Sequence, residues 1–421
     1  MNKSRYLRLK IVVLSDLRSL PLLTAIFIYR KLKLEGYNVN IVISERVLVS
    51  CDFGHYFPGW YKRFKLLIIK LFANILTINK DSGTVLSSED KLGIFSSLCS
   101  ITLDSDSNSE KYPYLFSELS KSAMGAKEIC NFLNKVDVEE VYLFNGRTAS
   151  SESIVRFLWD KDIMCKFYEF GVTFGSTYTI FDFPIHNAYK LGLKLVDFYN
   201  SGILDNETIQ KCGNKYMFSK VNNNYTKRYI NKVCKKYDIV IFLGSDHEYS
   251  NLNESIYDIK LLGNLELVKH VVTKYGKKNY AVRAHPNQIV DPNWKEVIKP
   301  INVFCEENEI DFFDPSSPVS SYSLIQESSL VVVELSSIAI DAIILEKDVD
   351  VIGNNDLRAI LDTAPMGIRN NKEQLKKYVC EVLSLVEFYS HYQLPFKWKV
   401  IKSIVFRIDW LLLKIYKPSL S

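Results

Sequence analysis

Short β-branched and aliphatic runs alternate with longer stretches of helical period along most of this chain. Residues 10–14 (KIVVL) are apolar and too short for an ordinary helix, which predicts a buried strand. Over 17–35, Leu20, Leu23, Ile26, Phe27, Leu32 and Leu34 fall mostly at helical spacing, and Gly36 stands where a helix C′ position favours glycine. Residues 38–43 (NVNIVI) predict the next strand. Strand, helix, glycine, strand opens a Rossmann-like unit. The alternation continues with one helix or two over 112–135, a strand at 140–144, a helix at 148–159, a strand at 164–169 and a helix at 191–199. A second series begins at 238–243 (DIVIFL), followed by a helix over 261–275 and a strand over 279–283. Then 321–328 predicts a short helix and 330–334 (LVVVE) a fully buried strand. Ser336 and Ser337 open a helix with Ile340, Ile343 and Ile344 on one face, and a strand over 349–352 ends at Gly353. Residues 372–388 form one more amphipathic pattern.

Between the two series, residues 200–230 are polar, with a turn at Asn222, Asn223 and Asn224. The expected fold class is α/β, with two Rossmann-like domains and C-terminal helices. The expected division is 1–200, an interdomain region over 201–236, a second domain over 237–370, and helices over 371–421. A length of 421 residues fits two cores better than one.

Composition narrows the class. With 47% hydrophobic and 24% charged residues the chain is globular, and a net charge of +5 does not call for nucleic acid. Its eight cysteines include no CxxC pair and several lie in apolar runs, which fits buried thiols in a reducing compartment. The apolar run 11–14 ends at Asp16 and is too short for a signal peptide; no run approaches the roughly 18 residues of a membrane helix. A cytoplasmic protein is expected, with a peripheral site on the inner face of the membrane as an open alternative. Two segments raise that alternative. Residues 52–80 join aromatics to Lys62, Arg63, Lys65 and Lys70 ahead of an apolar helix, and read equally as a lipid-surface segment or as a core helix with a solvated face. Residues 397–417 place Ile401, Ile404, Val405, Ile408, Leu411 and Leu412 on a helical face among six basic residues and a single Asp409, with Trp398, Trp410 and Tyr416 interleaved. That is the composition of an interfacial helix, with a C-terminal helix packed back on the first domain as the plain alternative.

The candidate chemistry sits at strand ends. His285-Pro286 follows a strand, and the Ser336-Ser337 pair lies where a buried strand passes into a helix. Ligands of open α/β sheets bind outside the carboxyl ends of strands, and a helix start offers N–H groups to a phosphate. A helix cap and a turn histidine are the plain alternatives. Asn145-Gly146-Arg147 and Glu169-Phe170-Gly171 end two strands of the first series, where Gly lets a ligand come close. Glu169 is a candidate general base, with ion pairing to Arg147 as its structural alternative. Arg147 can hold a carboxylate or phosphate bidentately. Tyr178, Phe181, Pro184, His186 and Asn187 read as a polar-aromatic loop that suits a sugar, with His186 as a second base candidate. Gly244-Ser245-Asp246 ends the first strand of the second series. Asp104-Ser105-Asp106 has the form of a metal-binding DxD, but its Ser/Asp/Asn surroundings predict a solvated loop, and no metal is assigned. No GxGxxG, GxSxG, HExxH or P-loop occurs.

HP followed by YSL and SS, together with FNGR and ExG, resembles the capsule-synthesis type of GT-B glycosyltransferases, which includes bacterial Kdo transferases and, more distantly, sialyltransferases. Phe170 departs from the polar residue usual between Glu and Gly. The resemblance implies two domains facing across a cleft, with the acceptor side in 1–200 and a nucleotide-sugar site in 237–370. In that family the histidine and the serine pair hold the phosphate of a CMP-sugar, a role that falls here on His285, Ser336 and Ser337. Glu169 and His285 are then the expected catalytic residues. Asn145, Gly146, Arg147, Gly171, His186 and Asn187 are expected to bind substrate, and Gly244, Ser245, Asp246, His285, Pro286, Ser336 and Ser337 to bind the donor. The implied partners are a nucleotide sugar such as CMP-Kdo and a glycan or lipid-linked acceptor, with no cofactor or metal. An NDP-sugar transferase, a non-hydrolysing sugar-nucleotide epimerase, and a non-catalytic glycan-binding protein of polysaccharide assembly are the alternatives.

Overall fold

The computed structural model describes residues 9–15, 19–46, 59–104, 106–170, 177–184, 186–221, 235–245, 261–388 and 391–393. The chain forms two Rossmann-like α/β domains, each built on its own sheet. The first sheet has the order β12-β6-β5-β4-β1-β2-β3. Strands β1 (Leu9–Val13), β2 (Asn38–Ser44), β3 (Ile75–Ile78), β4 (Val138–Phe144) and β5 (Met164–Phe170) run parallel. Two antiparallel strands extend this sheet, β6 (Thr177–Phe181) on β5 and β12 (His391–Gln393) on β6. The second sheet is wholly parallel, in the order β11-β10-β7-β8-β9. Its strands are β7 (Tyr237–Phe242), β8 (Tyr280–Arg283), β9 (Asp311–Phe313), β10 (Ser328–Val333) and β11 (Asp348–Val351).

The continuous apolar runs follow from this burial. Val12 of β1 and Leu14 just after it pack on the face covered by helix Ser19–Leu34, and Ile11 and Val13 on the face covered by helices Pro113–Leu133 and Glu152–Asp160. A strand covered on both sides has no face for polar residues. The second sheet is likewise covered twice. Val240, Phe242, Val331 and Val333 face one core, and Ile239, Ile241 and Val332 face the other.

Helix Ala188–Asn200, counted above with residues 1–200, sends Leu195 and Val196 into the core of the second sheet. Within the stretch read as polar and interdomain, residues Asn206–Val221 form a helix that packs on helix Lys372–Ser384. The loop expected after Glu169 contains β6, whose Thr179 pairs with Glu169 itself. Isolated polar-aromatic alternation there left strand and loop indistinguishable until a partner strand was present. The tail 397–417 lies outside the described residues.

Gly192 marks how closely helix Ala188–Asn200 meets helix Asp356–Thr363: a Cβ there would stand 2.4 Å from the Asp356 carbonyl oxygen and 2.7 Å from Ala359 Cβ. Backbone cannot yield as a flexible side chain does, so Gly192→Ala is expected to cost about 1–3 kcal/mol, read as a lower denaturant midpoint at unchanged slope.

Candidate active site

The second sheet reverses its strand order between β7 and β10, and connections leave opposite faces there to open a crevice. Adjacent strands β8, β7 and β10 deliver to this edge Ala284-His285, Leu243-Gly244-Ser245 and Glu334 through Ser337. A cleft of about 530 Å³ opens there, with His285, Pro286, Asn287, Ser336 and Ser337 on its wall. The volume is in the range of small-ligand sites.

His285 is fixed by its neighbours. The Asn287 backbone N–H donates to His285 Nδ1 at 3.1 Å, and Ser245 Oγ lies 2.9 Å from the same nitrogen. A backbone N–H can only donate, so Nδ1 carries the lone pair and the neutral ring holds its proton on Nε2. Ser245 is 2% exposed and stands behind the ring. Its turn is clamped in turn by Asn264, whose Oδ1 accepts from Gly244 N at 3.0 Å and whose Nδ2 donates to Gly244 O at 3.2 Å. Asp246 lies outside the described residues.

Ser337 occupies the N-cap of helix Ile338–Ile344 without a side-chain capping bond, and its residue surface is exposed. The plain capping role is therefore not the one its hydroxyl performs. Ser336 Oγ lies 3.5 Å from Ile338 N, a marginal contact. This helix spans seven residues, too short to lean on a macrodipole, so polar side chains carry the anion argument. Among the described residues, two cations border the cleft, Arg283 and Lys220. Arg283 is 1% exposed and its guanidinium donates to the carbonyls of Phe313, Asp314 and Ser317, which commits it to shaping that loop. Lys220, from helix Asn206–Val221, brings charge to the cleft wall within electrostatic reach of Asp341. Burial raises the Asp341 pKa above the usual carboxylate range, against the pull of Lys220 and of the hydrogen bond from Tyr322. Burial together with Asp341 pushes the Tyr322 hydroxyl up to about 12.

In the first domain β4 and β5 bring Asn145, Gly146, Arg147 and Glu169 together. Asn145 adopts φ 59°, a left-handed conformation that Asn tolerates better than most residues, and its Nδ2 donates to Glu169 Oε2 at 2.9 Å. Gly146 has φ 99°, and a Cβ there would meet the Phe167 ring at 2.8 Å, so both the turn and the packing require glycine. Arg147 reaches Ser100 Oγ at 3.3 Å. His186 lies near it: burial, and then the Arg147 charge, push its pKa down to about 3, so the ring is neutral and a weak proton acceptor near pH 7. Asn187 is buried and caps helix Ala188–Asn200 by accepting from Lys190 N at 3.0 Å. Gly171 lies outside the described residues.

Most described residues of the Asp104 loop are exposed, as expected of a solvated loop, but Asp104 itself is not. Asp104 is 0% exposed rather than solvated. Its carboxylate accepts from Tyr112 Oη at 2.9 Å, Asp106 N at 3.0 Å and Asn293 Nδ2 at 3.1 Å, and it pairs with Lys111. Asn293 belongs to the second domain, so this carboxylate joins the two halves of the molecule. Among the described residues no cluster of three or more His, Cys, Asp or Glu converges as metal ligands would.

The sequence pattern did not single out Lys220, Asn264 or Asn293. Lys220 lay in a polar stretch without a motif, and an amide that clamps a distant turn leaves no local signature.

No protein-family model matches the chain, and no curated protein matches it. Solved structures resemble it distantly. The beta Kdo 2,7 transferase KpsC of Thermosulfurimonas dismutans is 15% identical, with 88% of this chain and 99% of that chain covered and a TM-score of 0.40. The beta Kdo 2,4 transferase KpsC of the same organism is 9% identical, covering 64% of this chain and 88% of that one at a TM-score of 0.38. The Methanocaldococcus jannaschii UDP-GlcNAc 2-epimerase is 13% identical over 96% of this chain and 99% of that chain, with a TM-score of 0.27. Likenesses at such identities and TM-scores assign no activity to this chain.

Proposed function

We propose that the protein is a glycosyltransferase of surface-polysaccharide synthesis that draws its sugar from a nucleotide-sugar donor, with a CMP-sugar favoured and no metal required. The observation that carries this reading is the fixed tautomer of His285. Its Nε2–H is a preset donor at a cleft that also holds the Ser336 and Ser337 hydroxyls and Lys220. A donor held in place before the reaction, as His285 is by Asn287 and Ser245, matches the charge that grows on a leaving phosphate. The domain of the first sheet receives the acceptor, and that of the second sheet, expected over 237–370, the donor. As the acceptor oxygen bonds to the anomeric carbon, the bond from that carbon to the phosphate oxygen breaks. The acceptor proton passes to Glu169, and the phosphate leaves with the electron pair against His285, Ser336, Ser337 and Lys220. Asn145, Gly146 and Arg147 shape the acceptor side. Ser245 and Asn264 act through His285 as positioning residues.

Nucleotide binding tests the donor half. CMP without magnesium should raise the melting temperature by mass action, more than UDP, GDP or dTDP does. A response to diphosphates alone overturns the CMP-sugar assignment and favours an NDP-sugar transferase or epimerase. His285→Ala should weaken nucleotide binding roughly ten- to hundredfold, the range for one hydrogen bond to a charged group. Binding that is unchanged in this variant removes His285 from the donor site.

A further inference from the structure

Helix Gly59–Phe72 is turned with its apolar stripe to solvent and lysines inward. Trp60, Phe64, Leu67 and Leu71 are 61%, 49%, 60% and 75% exposed. Their spacing (i, i+4, i+7, i+11) puts them on one face. On the opposite side Lys62 and Lys65 are each 2% exposed, and Lys65 Nζ lies over the Tyr61 ring at 4.6 Å from its centroid. Ile69, fully buried in the core beside helix Ser19–Leu34, anchors this orientation. A helix that served only the core would turn its leucines in and its lysines out, since lysine is seldom fully buried.

The charges on the outer side identify what covers it. Arg63 and Lys70 are exposed, one helical repeat apart, along one flank of the stripe. The helix contains no Asp or Glu. An apolar stripe with an aromatic at its end and a cationic flank is complementary to a bilayer surface, with the side chains reaching the acyl boundary and the cations meeting anionic headgroups. We propose that helix Gly59–Phe72 docks the first domain on an anionic membrane surface, lying in the interface with Trp60, Phe64, Leu67 and Leu71 inserted. The inference is independent of the donor reading, because it uses a different face and needs no turnover.

The test is co-sedimentation of the full chain with phosphatidylglycerol/phosphatidylcholine vesicles and with phosphatidylcholine alone. Wild type is expected to bind the mixed vesicles and to bind pure phosphatidylcholine at least about tenfold more weakly, since each cation near an anionic surface contributes about fivefold. Leu67→Glu/Leu71→Glu and Arg63→Glu/Lys70→Glu should each lower binding to the mixed vesicles at least about tenfold. Because the substituted positions are exposed, melting temperature and nucleotide response should be unchanged. Wild type that stays in the supernatant overturns the proposal. So does undiminished binding of both variants, which assigns attachment to another segment such as 397–417. A dimer in sedimentation velocity that Leu67→Glu/Leu71→Glu converts to monomer also overturns it, because a second copy then covers the stripe.

Discussion

Glu169→Gln is expected to lower glycosyl transfer by roughly 10²–10⁴-fold, the usual contribution of a positioned general base, while nucleotide binding stays within about twofold. The substitution keeps shape and removes the proton-accepting charge. Asn145 Nδ2 can donate to a glutamine Oε1 as it does to the carboxylate, so the contact at 2.9 Å has a substitute. The backbone gives no reason for collapse either. β5 is paired on both sides, through Phe144↔Tyr168 to β4 and through Glu169↔Thr179 to β6. A side chain carried on a doubly paired strand holds its direction better than one on a loop. Transfer rate, nucleotide response and melting temperature measured on one preparation separate the cases. Lost transfer with the other two intact marks Glu169 as the base. Retained transfer removes it from that role and leaves its contact with Asn145 as a structural one. Asn145→Ala should cost less than Glu169→Gln, because it frees the carboxylate to rotate without removing it.

The residues of this site were unequally visible along the chain. The unit from β10 through helix Ile338–Ile344 to β11 was legible because a buried parallel strand must be an uninterrupted apolar run, and LVVV is one. His285 was legible because the proline after it forces an extended residue at the strand exit. What holds His285 was not. Ser245 lies 40 residues upstream, and Asn264 is joined to Gly244 across 20 residues by an amide that any polar turn might carry. Helix Gly59–Phe72 shows a different limit. Its period gave an amphipathic helix, but period alone does not say which face turns inward, and here the apolar stripe is the outer one. Asp104 shows a related limit. Composition made its loop polar, and polar loops are usually solvated, yet a carboxylate with enough donors can be buried.

Those donors make Asp104→Ala the substitution with the largest expected effect on stability, about 3 kcal/mol. That is the lower part of the range for removing one partner of a buried ion pair, because the Lys111 side chain is 33% exposed and partly screened. Burial alone would raise the Asp104 pKa, but Lys111, the Tyr112 hydroxyl and the Asp106 N–H outweigh it and hold the carboxyl below its ordinary value of 3.8. A depressed folded-state pKa contributes stability that is complete above the unfolded value and lost as pH falls through it toward the folded one. Wild type should therefore lose part of its stability as pH drops below about 4, and the difference from Asp104→Ala should shrink over the same interval. Denaturant midpoints at pH 7 and pH 3 measure both. If the two proteins have equal midpoints at pH 7, the cluster contributes nothing. Asn293→Ala removes the hydrogen bond to Asp104 but keeps the carboxylate, and should cost about 1 kcal/mol. That bond matters beyond its size. Asn293 precedes helix Trp294–Glu307 and stands shortly after the turn Pro286–Val290, which starts at His285. It ties the first domain to the segment that carries the donor-site histidine. A double-mutant cycle of Asp104→Ala and Asn293→Ala, with a coupling of about 1 kcal/mol expected for direct partners, isolates the tie from the rest of the cluster. A coupling near zero would mean that the carboxylate stabilises only its own domain and that the 3.1 Å contact carries no energy between the two.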